Sequence, residues 1–236
     1  MGVCKMENDR NTMPEGMVNL EKTRICKKPK DVPSREAAML GVSFVTVVAN
    51  LCHDVKLQLP FLRSQHQAER MTGQAPQSFL VLQGGTAHGT IAIKLIRMAL
   101  PNAIIIVTCE GNGDYQYAPL CQYLEDLGAT HIIDATATNS LAQVRASVRH
   151  HVHSDCVDVV VDSCAQRFWQ LDIERLGLVA WNGKYVIPPD RTLEDSLALL
   201  PDGDKMMAAL GPLLVSGKLK PPPAVDYMAT GQIPTV

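Results

Sequence analysis

Residues 79–110, FLVLQGGTAHGTIAIKLIRMALPNAIIIVTCE, admit few folds: an apolar run, a glycine turn, an amphipathic stretch, a second apolar run and an acid, in that order. Residues 79–82 are β-prone, and Gly84 and Gly85 break the run where the backbone needs positive φ or a close approach. From Gly89 the apolar positions Ile91, Ile93, Leu95, Ile96, Met98 and Ala99 gather mostly on one side of a predicted helix. Lys94 and Arg97 take the other side, and Pro101 with Asn102 stops the helix. Residues 103–109 are almost uninterruptedly apolar, the pattern of a parallel strand buried on both faces. The stretch is a βαβ unit, and its crossover is expected to be right-handed.

The turn inside such a unit binds anions, because the first N–H groups of a helix lack partners and the helix dipole adds partial positive charge. A dinucleotide pyrophosphate fits that need. The dinucleotide pattern asks for G-x-G-x-x-G and, about 20 residues on, an acid for the ribose hydroxyls. Gly84-Gly85-Thr86-Ala87-His88-Gly89 matches it loosely, and Glu110 stands close to the required distance. The alternative is a turn that is glycine-rich only for close strand–helix packing.

The remainder of the chain repeats the alternation. Residues 115–127 read as a helix closed by Gly128, 130–134 as a strand, 139–153 as a helix, and 157–161 as a strand ending in Asp162-Ser163-Cys164. Residues 168–179 form a partly helical crossover, and 183–187, GKYVI, a fifth strand stopped by Pro188-Pro189. Residues 193–200 and 205–215 look helical, with breaks at 201–203 and at Pro212. Ahead of the unit, residues 37–55 read as one long apolar helix with a weak point at Gly41, packed on more than one side. Residues 58–77 read as a connecting loop. The expected fold is α/β, a doubly wound parallel sheet with helices on both faces over residues 34–216. A polar tail, 1–33, with a strand-like hint at 17–20, precedes it, and an irregular tail, 217–236, follows.

Composition narrows the partners. A formal charge of −2 argues against a nucleic-acid surface. Seven scattered cysteines, with no C-x-x-C pair, read as reduced thiols in a cytoplasmic setting. No apolar run approaches a bilayer span, so no membrane partner is expected.

Together, EAAMLGVSFVTVV (36–48), LVLQGGTAHGTIAIKL, LEDLGATHIID (124–134), VDVVVDSC (157–164), GKYV and LLVSGKLKP (213–221) resemble the cofactor-binding half of the medium-chain dehydrogenase/reductase superfamily. The GGT turn points to the zinc-free enoyl reductase and quinone reductase branch, which includes fungal trans-acting enoyl reductases that work beside polyketide synthases. The resemblance implies a Rossmann-like sheet that binds NAD or NADP across the carboxyl ends of its strands. It implies hydride transfer to a carbonyl or enoyl substrate. By position, Gly84, Gly85, Thr86, Ala87, His88 and Gly89 would hold the pyrophosphate, and Glu110 would face the adenosine ribose. Ser163, Cys164, Ile187 and Pro188 would lie on the nicotinamide side. A carboxylate at 110 repels a ribose phosphate, so NAD is preferred over NADP.

The family's substrate-binding barrel is largely missing from this sequence. Three expectations therefore stand: a reductase, possessing or having lost its activity; a non-catalytic module that binds a protein partner; and a repurposed isomerase or dehydratase. Residues 183–187 are the expected edge through which two copies would pair. His150, His151 and His153 read as a cationic helix end, and no residues show zinc-ligand spacing, so no metal is expected. His88 could touch a phosphate, protonate a substrate or merely fill the turn, and Cys164 is a conceivable nucleophile with no base beside it. No catalytic residue is assigned.

Overall fold

The computed structural model describes residues 2–3, 24–25, 28–62, 75–110, 114–135, 140–164, 172–190, 192–199 and 203–220. Five parallel strands make the sheet: β3 (Ser78–Leu82), β4 (Ile104–Cys109), β5 (His131–Asp134), β6 (Val157–Asp162) and β7 (Val179–Val186). Their spatial order is β5-β4-β3-β6-β7, so the chain steps outward one way from β3 and then returns to its other side. Two short antiparallel strands, β1 (Gly2–Val3) and β2 (Arg24–Ile25), form a separate pair inside the segment read as a polar tail. The strand-like hint at 17–20 lies outside the described residues, as do 221–236.

Alternation along the strands builds the layers. Phe79 and Val81 of β3, Ile105 and Val107 of β4, and Val159 and Val161 of β6 point into one core. That core also holds α1 (Ser34–Ala49), α2 (Ala87–Ala99), α3 (Asp114–Leu127) and the last helix. Leu80, Leu82, Ile106 and Val160 point into the opposite core, against α4 (Ser140–Val152) and Ile173. Both faces of the central strands are therefore covered, which is why they read as continuous apolar runs. At the amino end of the sheet the Asp158 carboxylate accepts from Gln77 N (2.8 Å), Ser78 N and Ser78 Oγ (3.0 Å each), fixing β6 to β3.

Helix α1 is buried nearly all round: Leu40, Phe44, Val45, Val47 and Val48 are inaccessible to solvent, and Val42 alone among its described apolar side chains is well exposed. It runs through Gly41 without a break. A mid-helix glycine costs about 1 kcal/mol, which burial of its neighbours outweighs. A π-helical turn, Asn50–Asp54, ends the element, with Asn50 Nδ2 donating to Thr46 O (2.9 Å). The two closing helices are α5 (Leu193–Leu199) and α6 (Gly203–Val215), and Pro212 sits inside α6 rather than breaking it. Pro212 is exposed, so its ring meets solvent.

Strand β7 is longer than 183–187 and irregular. Between the pairs Val157↔Val179 and Val159↔Lys184, β6 advances by two residues and β7 by five. The excess forms a bulge bearing Trp181, fully exposed to solvent. Gly183 is required there, because a Cβ would lie 2.8 Å from Asp158 O and 2.9 Å from Ala180 O. No helix among the described residues is long and apolar enough to cross a membrane.

Candidate functional site

The turn from β3 to α2 is fixed from three directions. Gln83 N donates to Thr108 Oγ1 (3.0 Å) and Gly84 N to Thr108 O (2.7 Å), tying it to β4. Thr86 N donates to Gln83 O (3.1 Å), closing the turn on itself. Thr86 is the N-cap of α2: its Oγ1 accepts from Gly89 N at 3.0 Å. It also donates to Ser163 Oγ (2.9 Å), which in turn shares its hydrogen between the carbonyls of Leu82 and Gln83. The third direction is thus β6.

The three glycines have different reasons to be glycine. A Cβ on Gly84 would overlap the Val107 side chain, and one on Gly89 would lie 2.6 Å from Gly84 Cα and 2.8 Å from Gln83 O. Both are set by strand–helix packing, the reading held as the alternative in the sequence. Gly85 is not: its nearest neighbour would be Leu120 at an ordinary 3.4 Å. Counting from the N-cap, Ala87 and His88 open α2, and their N–H groups lie outside the helical ladder. The six-residue stretch therefore supplies one glycine that packing does not require and two donors at a helix N-terminus.

Glu110 follows β4 and is exposed, and Gln83 Nε2 donates to its Oε1 at 2.6 Å across 27 residues of sequence. Glycine turn and acid therefore meet at one end of the sheet, as the pattern requires. The His88 side chain is half-buried, and desolvation lowers its pKa below 6.5, leaving it a neutral imidazole at pH 7.

Ser163 and Cys164 end β6, and Ile187 and Pro188 end β7, on the same carboxyl side. The strand order reverses between β3 and β6, and it is outside such a switch point that open α/β sheets take their ligands. Asp162 is fully buried: Oδ1 accepts from Cys164 N (3.1 Å) and Sγ (3.5 Å), and Oδ2 from Tyr185 OH (3.0 Å). It caps the turn after β6. Burial and then the Asp162 charge push the Tyr185 hydroxyl pKa far up, so it stays protonated and donates. Cys164 has an acid rather than a base beside it, which does nothing for a thiolate.

Sequence reasoning missed Gln83, Thr108 and Tyr185. The only signal for Gln83 was its place between a strand and a glycine pair. One depression, about 940 Å³, runs along β7, lined by Asn50, His53, Lys184, Tyr185, Ile187 and Asp190 among others. Of the residues singled out in the sequence it includes Ile187 alone, apart from the edge strand itself. The histidines of α4 have a ring neighbour on the sheet: His131 of β5 meets His151 at a tilt of 37° (4.3 Å between ring centroids), and His150 meets His151 edge-on (4.7 Å). No group of three or more His, Cys, Asp or Glu side chains among the described residues is disposed to hold a metal ion.

No family model and no curated protein matches the chain. Solved structures do. The CurK enoyl reductase aligns over 87% of this chain at 18% identity, with a TM-score of 0.58. An alcohol dehydrogenase superfamily protein from Novosphingobium aromaticivorans aligns over 84% at 22% identity and TM-score 0.53. A quinone oxidoreductase from Pseudomonas syringae pv. Tomato DC3000 aligns over 84% at 19% identity and TM-score 0.54. The alignments cover 58%, 56% and 58% of those chains, so this chain spans little more than half their length. With part of each of these proteins it shares a Rossmann-like fold, a parallel sheet with helices on both faces.

Proposed function

We propose that the carboxyl edge of the sheet binds a nicotinamide dinucleotide and that the chain serves a reductase reaction, hydride transfer to a carbonyl or enoyl substrate. The observation that carries this reading is the meeting of Glu110 with the β3–α2 turn through Gln83. In it, Gly85 and the N–H groups of Ala87 and His88 hold the pyrophosphate, and Glu110 accepts from the adenosine ribose. Ser163, Cys164, Ile187 and Pro188 flank the nicotinamide. When bound, the reduced ring supplies the hydride. The exposed carboxylate of Glu110 supports NAD over NADP, because a ribose phosphate there would meet like charge.

Titration of NADH and NADPH into the protein, read by calorimetry and nicotinamide fluorescence, tests it. Micromolar binding, about −8 kcal/mol, is the expected result and licenses a screen of enals, enones and quinones. No binding at millimolar cofactor overturns the proposal.

Trp181 favours a second reading, a module that binds a protein partner or a second copy. It stands fully exposed on a bulge of β7, one of the two edge strands of the sheet among the described residues. Sedimentation of the wild type and Trp181→Ser checks it: a wild-type monomer with no partner capture removes this reading.

A further inference from the structure

The residue before the glycines is the least expected member of the turn. Gln83 has φ 54°, in the left-handed region where a side chain is disfavoured and glycine is at ease. Two glycines follow it, yet this position carries a long amide. Only Lys56 and His153 share that conformation among the described non-glycine residues.

The gain lies in the side chain. The Gln83 backbone is held at both ends, by Thr108 Oγ1 on its N–H and by Thr86 N and Ser163 Oγ on its carbonyl. Its side chain therefore starts from a fixed point, and the residue is only 8% exposed. From there it reaches the end of β4 and donates to Glu110 Oε1 at 2.6 Å. A carboxylate only accepts, so the amide nitrogen must face it.

That bond restrains an exposed acid. A free glutamate on this rim has several rotamers and can swing aside to admit a phosphate. Held by Gln83, the carboxylate keeps one oxygen engaged and presents the other outward. The donor is neutral, so the negative charge is kept, where lysine or arginine would cancel it and attract a phosphate.

We propose that Gln83 is a specificity-determining residue of the dinucleotide site: it fixes Glu110 in the posture that accepts a ribose diol and rejects a 2′-phosphate. This rests on the reading under Proposed function.

The test is the ratio of NADH to NADPH dissociation constants for wild type, Gln83→Gly, Gln83→Asn and Glu110→Ala. Glycine relieves the backbone and asparagine tolerates it, so both variants are expected to fold; neither reaches Glu110. The wild type should favour NADH by about tenfold or more, and both Gln83 variants should narrow the ratio about fivefold, chiefly by admitting NADPH. Glu110→Ala should collapse it. An unchanged ratio in both Gln83 variants, or equal weakening of both cofactors, overturns the role of Gln83 while leaving the binding site standing. A wild type that favours NADPH overturns it too. A wild type that binds neither cofactor removes the site and this inference together.

Discussion

The hydroxyls of Thr86 and Ser163 lie 2.9 Å apart, joining the cap of α2 to the end of β6 across the point where the strand order reverses. One hydrogen bond thus spans the reversal of strand order. Ser163 also donates to the carbonyls of Leu82 and Gln83, so it is tied to both sides of the β3–α2 junction.

Ser163→Ala should remove that tie and leave buried acceptors without their donor, at about 1–2 kcal/mol of stability. Urea denaturation measures the loss. Dinucleotide affinity should fall as well, because the N-cap then loses its anchor.

Gly89→Ala and Gly85→Ala should separate packing from ligand approach. The first puts a methyl against the backbone of Gln83 and Gly84 and should cost about 3 kcal/mol or prevent folding. The second meets only Leu120 at ordinary contact and should change the melting temperature little, while weakening dinucleotide binding about tenfold.

Acid should destabilise the chain through two histidines. Burial lowers the His88 pKa, and burial followed by repulsion from His151 and His150 lowers that of His131. Both are depressed on folding, so their contribution is fully present above the ordinary value of 6.5 and is lost as pH falls towards the folded values. His131→Gln should flatten the loss of stability between pH 7 and 5, measured by denaturation at each pH. A curve as steep as the wild type's would refute it.

Cys52 should be a slow thiol. Burial raises its pKa to about 11, outweighing a backbone hydrogen bond at Leu59. At pH 8 its thiolate fraction is then roughly a hundredfold below that of a thiol with pKa 9, and alkylation should be correspondingly slow. Peptide mapping after timed iodoacetamide treatment reads this, with a small free thiol as reference.

The βαβ unit and the strands after it were legible because their signals are local: period, glycine, proline and runs of valine and isoleucine. Glu110 was legible from its distance alone. What escaped depends on partners far along the chain. The β7 bulge is set by the approach of Gly183 to the Asp158 carbonyl, which no window around residue 183 contains. Pro212 reads as a stop, but α6 passes through it. Gln83 looks like a polar residue beside a turn, and its importance appears only when Glu110, 27 residues on, is folded against it.

The strand order also sets a timetable. β3 is the middle of the sheet, and its second neighbour is paired through Phe79↔Val159, 80 residues later. At roughly 5–20 residues per second, a ribosome delivers that partner about 4 to 16 s after β3 itself. Throughout that interval a fully buried strand of the sheet has one bare edge, open to any other extended chain. The reversal of strand order is therefore also what leaves the newborn chain with an open edge, and a chaperone that shields β3 until β6 arrives would act at the right place and time.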